Sequence, residues 1–480
     1  MDQDDGFTLK AFLVALGLLL TFFLGVAWWG RGRFDNDSGS SSLSAQAETL
    51  SPNDSTRAIV SPVTTSLPTP EISWGDRILV TTSTNRHKAA GVDAIASRDY
   101  TAAVSALETA RSTEPADPET LIYLNNARIG AADAYAIAAA VPAEASPAIA
   151  NSILRGIAQA QTEINQMGGI QGKPLRIAIV DDQNSSVFAK ELATKLVKTP
   201  EILGVIGHNS TPAAAAAAEI YNNQLLALVP TNTTLNPADL NEYALPTLSS
   251  DPLVAGAIAF YLFELGRAKA ALFYHSRSDH SRLLKSQFET ALAASGGTLM
   301  GQANLVNPDD LLAPNIAKLK TAEALVIFPS SDVQITTLKQ IVDITQDQDD
   351  STYTPVFGGY ELFSPAILDQ LGDAADGTIL AIPNEIYASA ASPFSNSPQM
   401  LWGQPVDWRT TSSYNATQSM IAGLRKAPTR DGLKQLLYTE NSDMPRGVRL
   451  IKVEVQPGTE TRYELVSLGF LAKEDIFVPE

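Results

Sequence analysis

Between Ala148 and Pro237 the chain alternates two periodicities that a layered α/β fold satisfies together. Segments with helical spacing of apolar residues are separated by short, wholly apolar runs: IAIV at Ile177–Val180, LGVIG at Leu203–Gly207 and LLALV at Leu225–Val229. Such runs are too short for helices and apolar on both faces, so they predict strands buried on both sides of a parallel sheet. The intervening helices then cover that sheet from above and below. Tyr135–Pro142 reads as the buried strand that opens the set. A second set follows Asp251, with strands at Lys269–His275, Ala324–Phe328, Thr354–Gly359 and Gly377–Pro383 and helices near 279–294, 332–344, 412–425 and 430–438. The end of the chain, GVRLIKVEV and TRYELVSLGFL, is β-patterned.

Several motifs recur in a recognisable order: Ile164-Asn165, Gly168-Gly169-Ile170, Asp181-Asp182, Val205-Ile206-Gly207 with Ser210, and Pro230 with Thr233. In these the chain resembles the type I periplasmic solute-binding proteins, the group of the leucine/isoleucine/valine-binding proteins, over about residues 135–480. The resemblance implies an α/β fold of two lobes, each a parallel sheet flanked by helices, with three crossovers near Asp251, Asn384 and Asp443. On that expectation the receptor domain is 131–480, with lobe 1 at about 131–251 and 385–443 and lobe 2 at 252–384 and 444–480.

Composition removes whole classes of function. With 34 basic and 52 acidic side chains the net charge is −18, and no basic run with interleaved aromatics offers a surface for nucleic acid. Cysteine is absent, which excludes disulfides, thiolate metal sites, a cysteine nucleophile and a lipid-modified cysteine anchor. No G-x-S-x-G elbow occurs, so the expectation is a protein that is no enzyme and uses no cofactor. Gly168–Lys173 has too few residues between its glycines for a phosphate loop and reads as a turn. His275 and His280, in an expected loop beside Asp279, lack a helix that would face both inward, so no metal site is expected.

Ahead of the receptor, three segments are expected. Ala11–Gly30 is an uncharged apolar run of membrane-spanning length, ending in Trp28 and Trp29 where an interfacial aromatic belt belongs. Its bulky exit is a poor cleavage site, so residues 1–33 read as a transmembrane anchor rather than a signal peptide. Arg31 and Arg33 after the run, against Lys10 before it, tilt the positive-inside count toward the opposite orientation by one residue. Residues 34–75 are rich in Ser, Thr and Pro and read as a disordered linker. Over residues 76–130, Gly91, Tyr100, Ala103, Leu107, Ala110 and Pro115 fall on tetratricopeptide spacings. A single repeat cannot bury its own face, so this segment either docks on the next domain or binds a protein partner. The favoured reading is a plain amphipathic helical adaptor with no ligand of its own.

In open α/β sheets ligands bind beyond the carboxyl ends of the strands. In lobe 1 that selects Ser210 and Thr211 at a helix start, an anion-favouring position that plain N-capping would also explain. The resemblance adds Thr231 and Thr233 for a ligand carboxylate and amine, and Asp251 for an ammonium, with helix capping as the rival role for Asp251. In lobe 2 it points to Ser331 after one strand and to Tyr360 or Glu361 after the next. Amino-acid binders carry an acid at this last position; here ungapped alignment supplies Tyr360, and a one-residue slip supplies Glu361. The insert Ala388–Gln404 has no counterpart in the family pattern. The expected function is a membrane-anchored extracytoplasmic receptor for a small polar solute such as an amino acid, serving an ABC-type permease at the plasma membrane. The alternative is a regulatory interaction protein that uses the same fold, such as a penicillin-binding-protein activator.

Overall fold

Period-two patterning decides the architecture around the first sheet, because successive strand residues face opposite sides. In β2 (Tyr135–Val141), Ile137, Ala139 and Val141 enter one core while Ala138 and Ala140 enter another. The same split recurs in β3 (Leu175–Asp181), with Leu175, Ile177 and Ile179 on one face and Ala178 and Val180 on the other. The computed structural model describes residues 72–81, 85–231, 241–307, 319, 321–330, 335–346, 354–390, 401–403, 406–442, 446–456 and 463–476, all within one unit, Ser66–Glu480. The apolar run Ala11–Gly30 and most of the Ser/Thr/Pro-rich stretch lie outside the described residues. Among the described residues no helix is long and apolar enough to cross a membrane.

Three helices come first: α1 (Arg86–Ala96), α2 (Tyr100–Thr113) and α3 (Pro118–Ile129), preceded by the short strand β1 (Ile72–Ser73). Lobe 1 continues through β2, α4 (Pro147–Gln166), β3, α5 (Ser186–Val197), β4 (Ile202–Ile206), α6 (Thr211–Tyr221), β5 (Leu226–Val229) and β6 (Ala244–Pro246). Its sheet order is β1-β3-β2-β4-β5-β6, parallel except for β1, which pairs antiparallel with β3. Lobe 2 runs α7 (Asp251–Glu264), β7 (Lys269–Tyr274), α8 (Asp279–Ala294), β8 (Thr298–Asn304), β9 (Ala324–Phe328), α9 (Ile335–Gln346), β10 (Val356–Gly359), α10 (Pro365–Leu371) and β11 (Ile379–Pro383). The chain then passes α11 (Asn384–Ala390), returns to lobe 1 for α12 (Trp408–Lys426) and α13 (Arg430–Ser442), and closes on lobe 2 with β12 (Gly447–Val455) and β13 (Tyr463–Ala472). The second sheet is ordered β13-β12-β11-β10-β9-β7-β8, antiparallel only at the β11-β12-β13 end. Two mostly parallel sheets covered by helices make this a two-lobed α/β protein.

The N-terminal helices are part of lobe 1 rather than an appendage. Val92, Leu107, Leu121 and Leu124 share a core with Ile137, Ile153 and Ile177. Residues 118–127 of α3 are buried throughout, because α3 lies between the α1–α2 hairpin and the first sheet. Asn126 ties it to the sheet edge by donating to Ile177 O (2.7 Å) and Trp74 O (3.0 Å). A Cβ on Gly91 would stand 2.5 Å from Leu107 Cγ, so the α1–α2 approach demands glycine. Gly156 of α4 is tighter still: a Cβ there would meet Thr410 O of α12 at 2.1 Å. The hairpin is held by charge as well. Lys88, 2% exposed, sets its Nζ 2.8 Å from Asp117 Oδ2 and 2.7 Å from Glu119 Oε2.

The insert 388–404 lies largely outside the described residues, but its end is anchored. Trp402 is buried, the Arg111 guanidinium of α2 lies 4.9 Å from its ring centre, and Arg111 Nη2 donates to Leu401 O at 2.8 Å.

Candidate functional site

In the first sheet β2 has β3 on one side and β4 on the other, which creates the crevice between strand ends where ligands bind in such sheets. The loops that follow β3, β4 and β5 meet there. Asn184 O accepts from Ser210 Oγ (3.2 Å), Asn209 Nδ2 lies 3.5 Å from Asn184 Oδ1, and Thr231 Oγ1 donates to Asn209 Oδ1 (3.1 Å). Ser210 is the N-cap residue of α6 by position, yet its side chain makes no capping bond, so N-capping does not account for it. Thr211 is the first residue of α6, half-buried beside it. Thr233 lies outside the described residues, as does Ser331.

What holds this loop is buried and was not foreseen. His208 sits 2.7 Å (Nδ1) from Asp182 Oδ2 and 3.0 Å (Nε2) from the Tyr221 hydroxyl, with all three essentially inaccessible. The second carboxylate of the Asp181-Asp182 pair thus anchors the β4–α6 turn, while Asp181 accepts from the Ala143 and Gln183 amides.

In lobe 2, Asp251 opens α7 and is fully buried. It does not cap the helix, a position held by Ser250, and no solvent reaches its carboxylate. Its Oδ1 accepts from Tyr360 Oη (2.7 Å) and its Oδ2 lies 2.8 Å from His280 Nδ1. His280 belongs to the first turn of α8 rather than to a loop. Tyr360 and Glu361 form a 3₁₀ turn after β10. Tyr360 is wholly buried, edge-on to Trp408 with ring centres 4.8 Å apart. Glu361 pairs with Arg409 through Nη2–Oε1 (2.9 Å) and Nη1–Oε2 (3.4 Å), and its Oε1 is 3.8 Å from His280 Nε2. The choice between Tyr360 and Glu361 therefore dissolves, since both side chains are members of one network.

That network crosses between the lobes. Trp408 packs in the core of lobe 2, whereas Ala416, Met420 and Leu424 of the same helix pack in the core of lobe 1. Burial opposes charge on His280, but Asp251 and then Glu361 outweigh it and raise its pKa. Burial likewise works against the Glu361 carboxylate, and Arg409 and His280 reverse the sign and lower it. Arg409 and Trp408 carried no motif. One sign was present: Arg409 is the single charged residue in WRTTSSYNATQSMIAGL, at the helix end where a cation is disfavoured. Such a residue needs an acidic partner from elsewhere in the fold.

The structure thus brings Ser210, Thr211 and Thr231 together on one lobe, and Asp251, Tyr360 and Glu361 together on the other. Residues 137–452 match the family model described as periplasmic binding protein. The chain belongs to the periplasmic binding protein family. The family is one of binding proteins rather than enzymes. This binding protein is 22% identical over 176 residues to an amino acid binding protein of Pseudomonas aeruginosa, a match covering 36% of the chain and 47% of that relative. It thus spans about half the length of the curated relative it matches.

Among solved structures it is similar to a solute binding protein of an ABC transporter from Rhodopseudomonas palustris BisB5 in complex with 3,4-dihydroxy benzoic acid (TM-score 0.58, 19% identity, 72% of this chain and 99% of that one). It is also similar to a leucine binding protein from Thermotoga maritima (TM-score 0.53, 16% identity, 71% and 99%). At such identities the likeness speaks for the fold alone.

Proposed function

We propose that this chain is the solute-receiving component of an ABC-type importer, held at the outer face of the plasma membrane by the apolar run Ala11–Gly30. It takes a small polar solute between its lobes and hands it to a permease. The observation that carries this reading is the pairing of two polar clusters, one at the strand ends of each lobe. Ser210, Thr211 and Thr231 offer hydroxyls near the N-terminus of α6, which favours an anionic group, and Thr233, which lies outside the described residues, is added to them from the sequence alone. Asp251, Tyr360 and Glu361 form the opposing cluster, and Ser331, which lies outside the described residues, is added to it from the sequence alone. A solute that touches both clusters favours the closed arrangement by its differential affinity for it. The known ligands of relatives, 3,4-dihydroxy benzoic acid in one and leucine in another, mark the size class expected here.

The alternative, a regulatory protein whose N-terminal helices recruit a partner, finds less support. Those helices spend their apolar face on lobe 1, and what α2 leaves outward is largely polar. Titration calorimetry of the full chain with a panel of small amino, hydroxy and aromatic acids tests the proposal. Saturable one-to-one binding that Thr231→Ala weakens about tenfold, the loss of a hydrogen bond to a charged group, is the expected result. Absence of binding across the panel, with a protein captured by α1–α3 instead, would favour the regulatory reading.

A further inference from the structure

The charges buried where the lobes meet are already balanced. Asp251 is satisfied by Tyr360 and His280. Glu361 is held by both Arg409 Nη atoms and approached by His280. Glu385 accepts from Ser249 (3.0 Å) and Arg446 (3.3 Å). Asp407 caps α12 through the Thr410 amide (3.1 Å) and stands 3.9 Å from Arg409. Among the described residues at this junction, every carboxylate therefore has its cation or its donors. An incoming ammonium would have to displace Arg409 from Glu361 or His280 from Asp251.

The unspent groups have the opposite character. Arg409 Nε, His280 Nε2, Ser412 Oγ and Ser413 Oγ are buried without a hydrogen-bond partner. Arg409 is 9% exposed, Ser412 1% and Ser413 0%, and the two serines follow Trp408 and Arg409 one helical turn along α12. Buried polar groups left unmatched are costly, so each marks a place where another molecule can supply the partner. A guanidinium N–H, an imidazole N–H and two hydroxyls call for acceptor oxygens. Arg409, Ser412 and Ser413 also sit on the first two turns of a 19-residue helix, whose N-terminal dipole favours negative charge, while His280 comes from the first turn of α8.

Building on the solute-receptor reading, we infer that the site between the lobes takes a small carboxylic or hydroxy acid that bears no ammonium group, with Arg409, Ser412, Ser413 and His280 as its donors. Arg409 thereby sets specificity: its Nη atoms occupy Glu361, one of the two acids that an amino group could use, and its Nε remains for the acid's oxygens.

Matched probes test this on the full chain in detergent micelles by titration calorimetry: 3-phenyllactate against L-phenylalanine, and 2-hydroxy-4-methylpentanoate against L-leucine. Each pair differs only in hydroxyl against ammonium. The hydroxy acid of at least one pair should bind tenfold or more tightly than its amino partner. Arg409→Met should reverse that order, weakening the hydroxy acid tenfold or more and freeing Glu361 for the amino acid. Ser412→Ala with Ser413→Ala leaves the Glu361 pair intact and should weaken the hydroxy acid by several-fold without improving the amino acid, which keeps the test decisive if Arg409→Met fails to fold. Tighter binding of the amino acid by the wild-type chain overturns the inference and leaves the receptor reading standing. Silence of all four probes, at concentrations up to the millimolar range, counts against the receptor reading itself.

Discussion

Replacing Lys88 by Met should destabilise the N-terminal helices and lobe 1 together. Lys88 is 2% exposed and bridges Asp117 and Glu119, the latter fully buried and also accepting from the Leu79 amide (2.7 Å) and the Tyr123 hydroxyl (2.9 Å). The variant keeps the volume but leaves two carboxylates without a cation, and breaking a buried ion pair this way costs about 3–5 kcal/mol. For the unit Ser66–Glu480, an unfolding entropy of about 2.1 cal/mol/K per residue gives about 0.9 kcal/mol/K, so the melting temperature should fall by about 3–6 °C. Differential scanning calorimetry reads that shift as one transition, because α1–α3 and lobe 1 share a core. Adding Glu119→Gln removes one stranded charge and should recover part of the loss, a coupling that distant sites do not show. A Lys88→Met protein melting within 1 °C of wild type, or a separate early transition for the helices alone, would refute the reasoning.

Further expectations concern the site and its frame. His280 has a raised pKa in the folded state, so its contribution is fully present below about pH 6.5, the ordinary imidazole value, and is lost as pH rises through the folded value. The gap in melting temperature between wild type and His280→Gln should therefore be widest below pH 6.5 and narrow above it; a pH-independent gap would contradict the Asp251 and Glu361 assignment. His208→Ala strands the buried Asp182 carboxylate and should cost about 3 kcal/mol or more while loosening the loop that carries Ser210, seen as weaker solute binding at temperatures where the fold persists. Gly156→Ala places a methyl against Thr410 O and must push α12 away from α4; a melting temperature at or above wild type would show that the helices have room.

Much of the fold was written in local pattern. Wholly apolar runs such as ALVIF could be read as doubly covered strands because both faces of β9 are buried. The strand-end loops bearing Ser210 and Thr231 followed from the rule that places ligands past the carboxyl ends of a parallel sheet. What stayed hidden depends on partners far apart in sequence. Glu361 and Arg409 are 48 residues apart, and only the return of α12 to lobe 1 brings them together. Lys88, an unremarkable basic residue in an amphipathic helix, gives no local sign that two acids will bury it. The role of Asp182 as the anchor of His208 was equally invisible, since two adjacent acids at a strand end give no local sign of a histidine partner 26 residues away.

The most direct test of solute binding between the lobes is native mass spectrometry of the full chain purified under mild conditions, followed by denaturing release of whatever it carries. The account predicts a single small organic acid in one-to-one ratio, retained by wild type and diminished in Arg409→Met. A wild-type chain that carries nothing and shows no mass adduct with any amino, hydroxy or aromatic acid at millimolar concentration would contradict it.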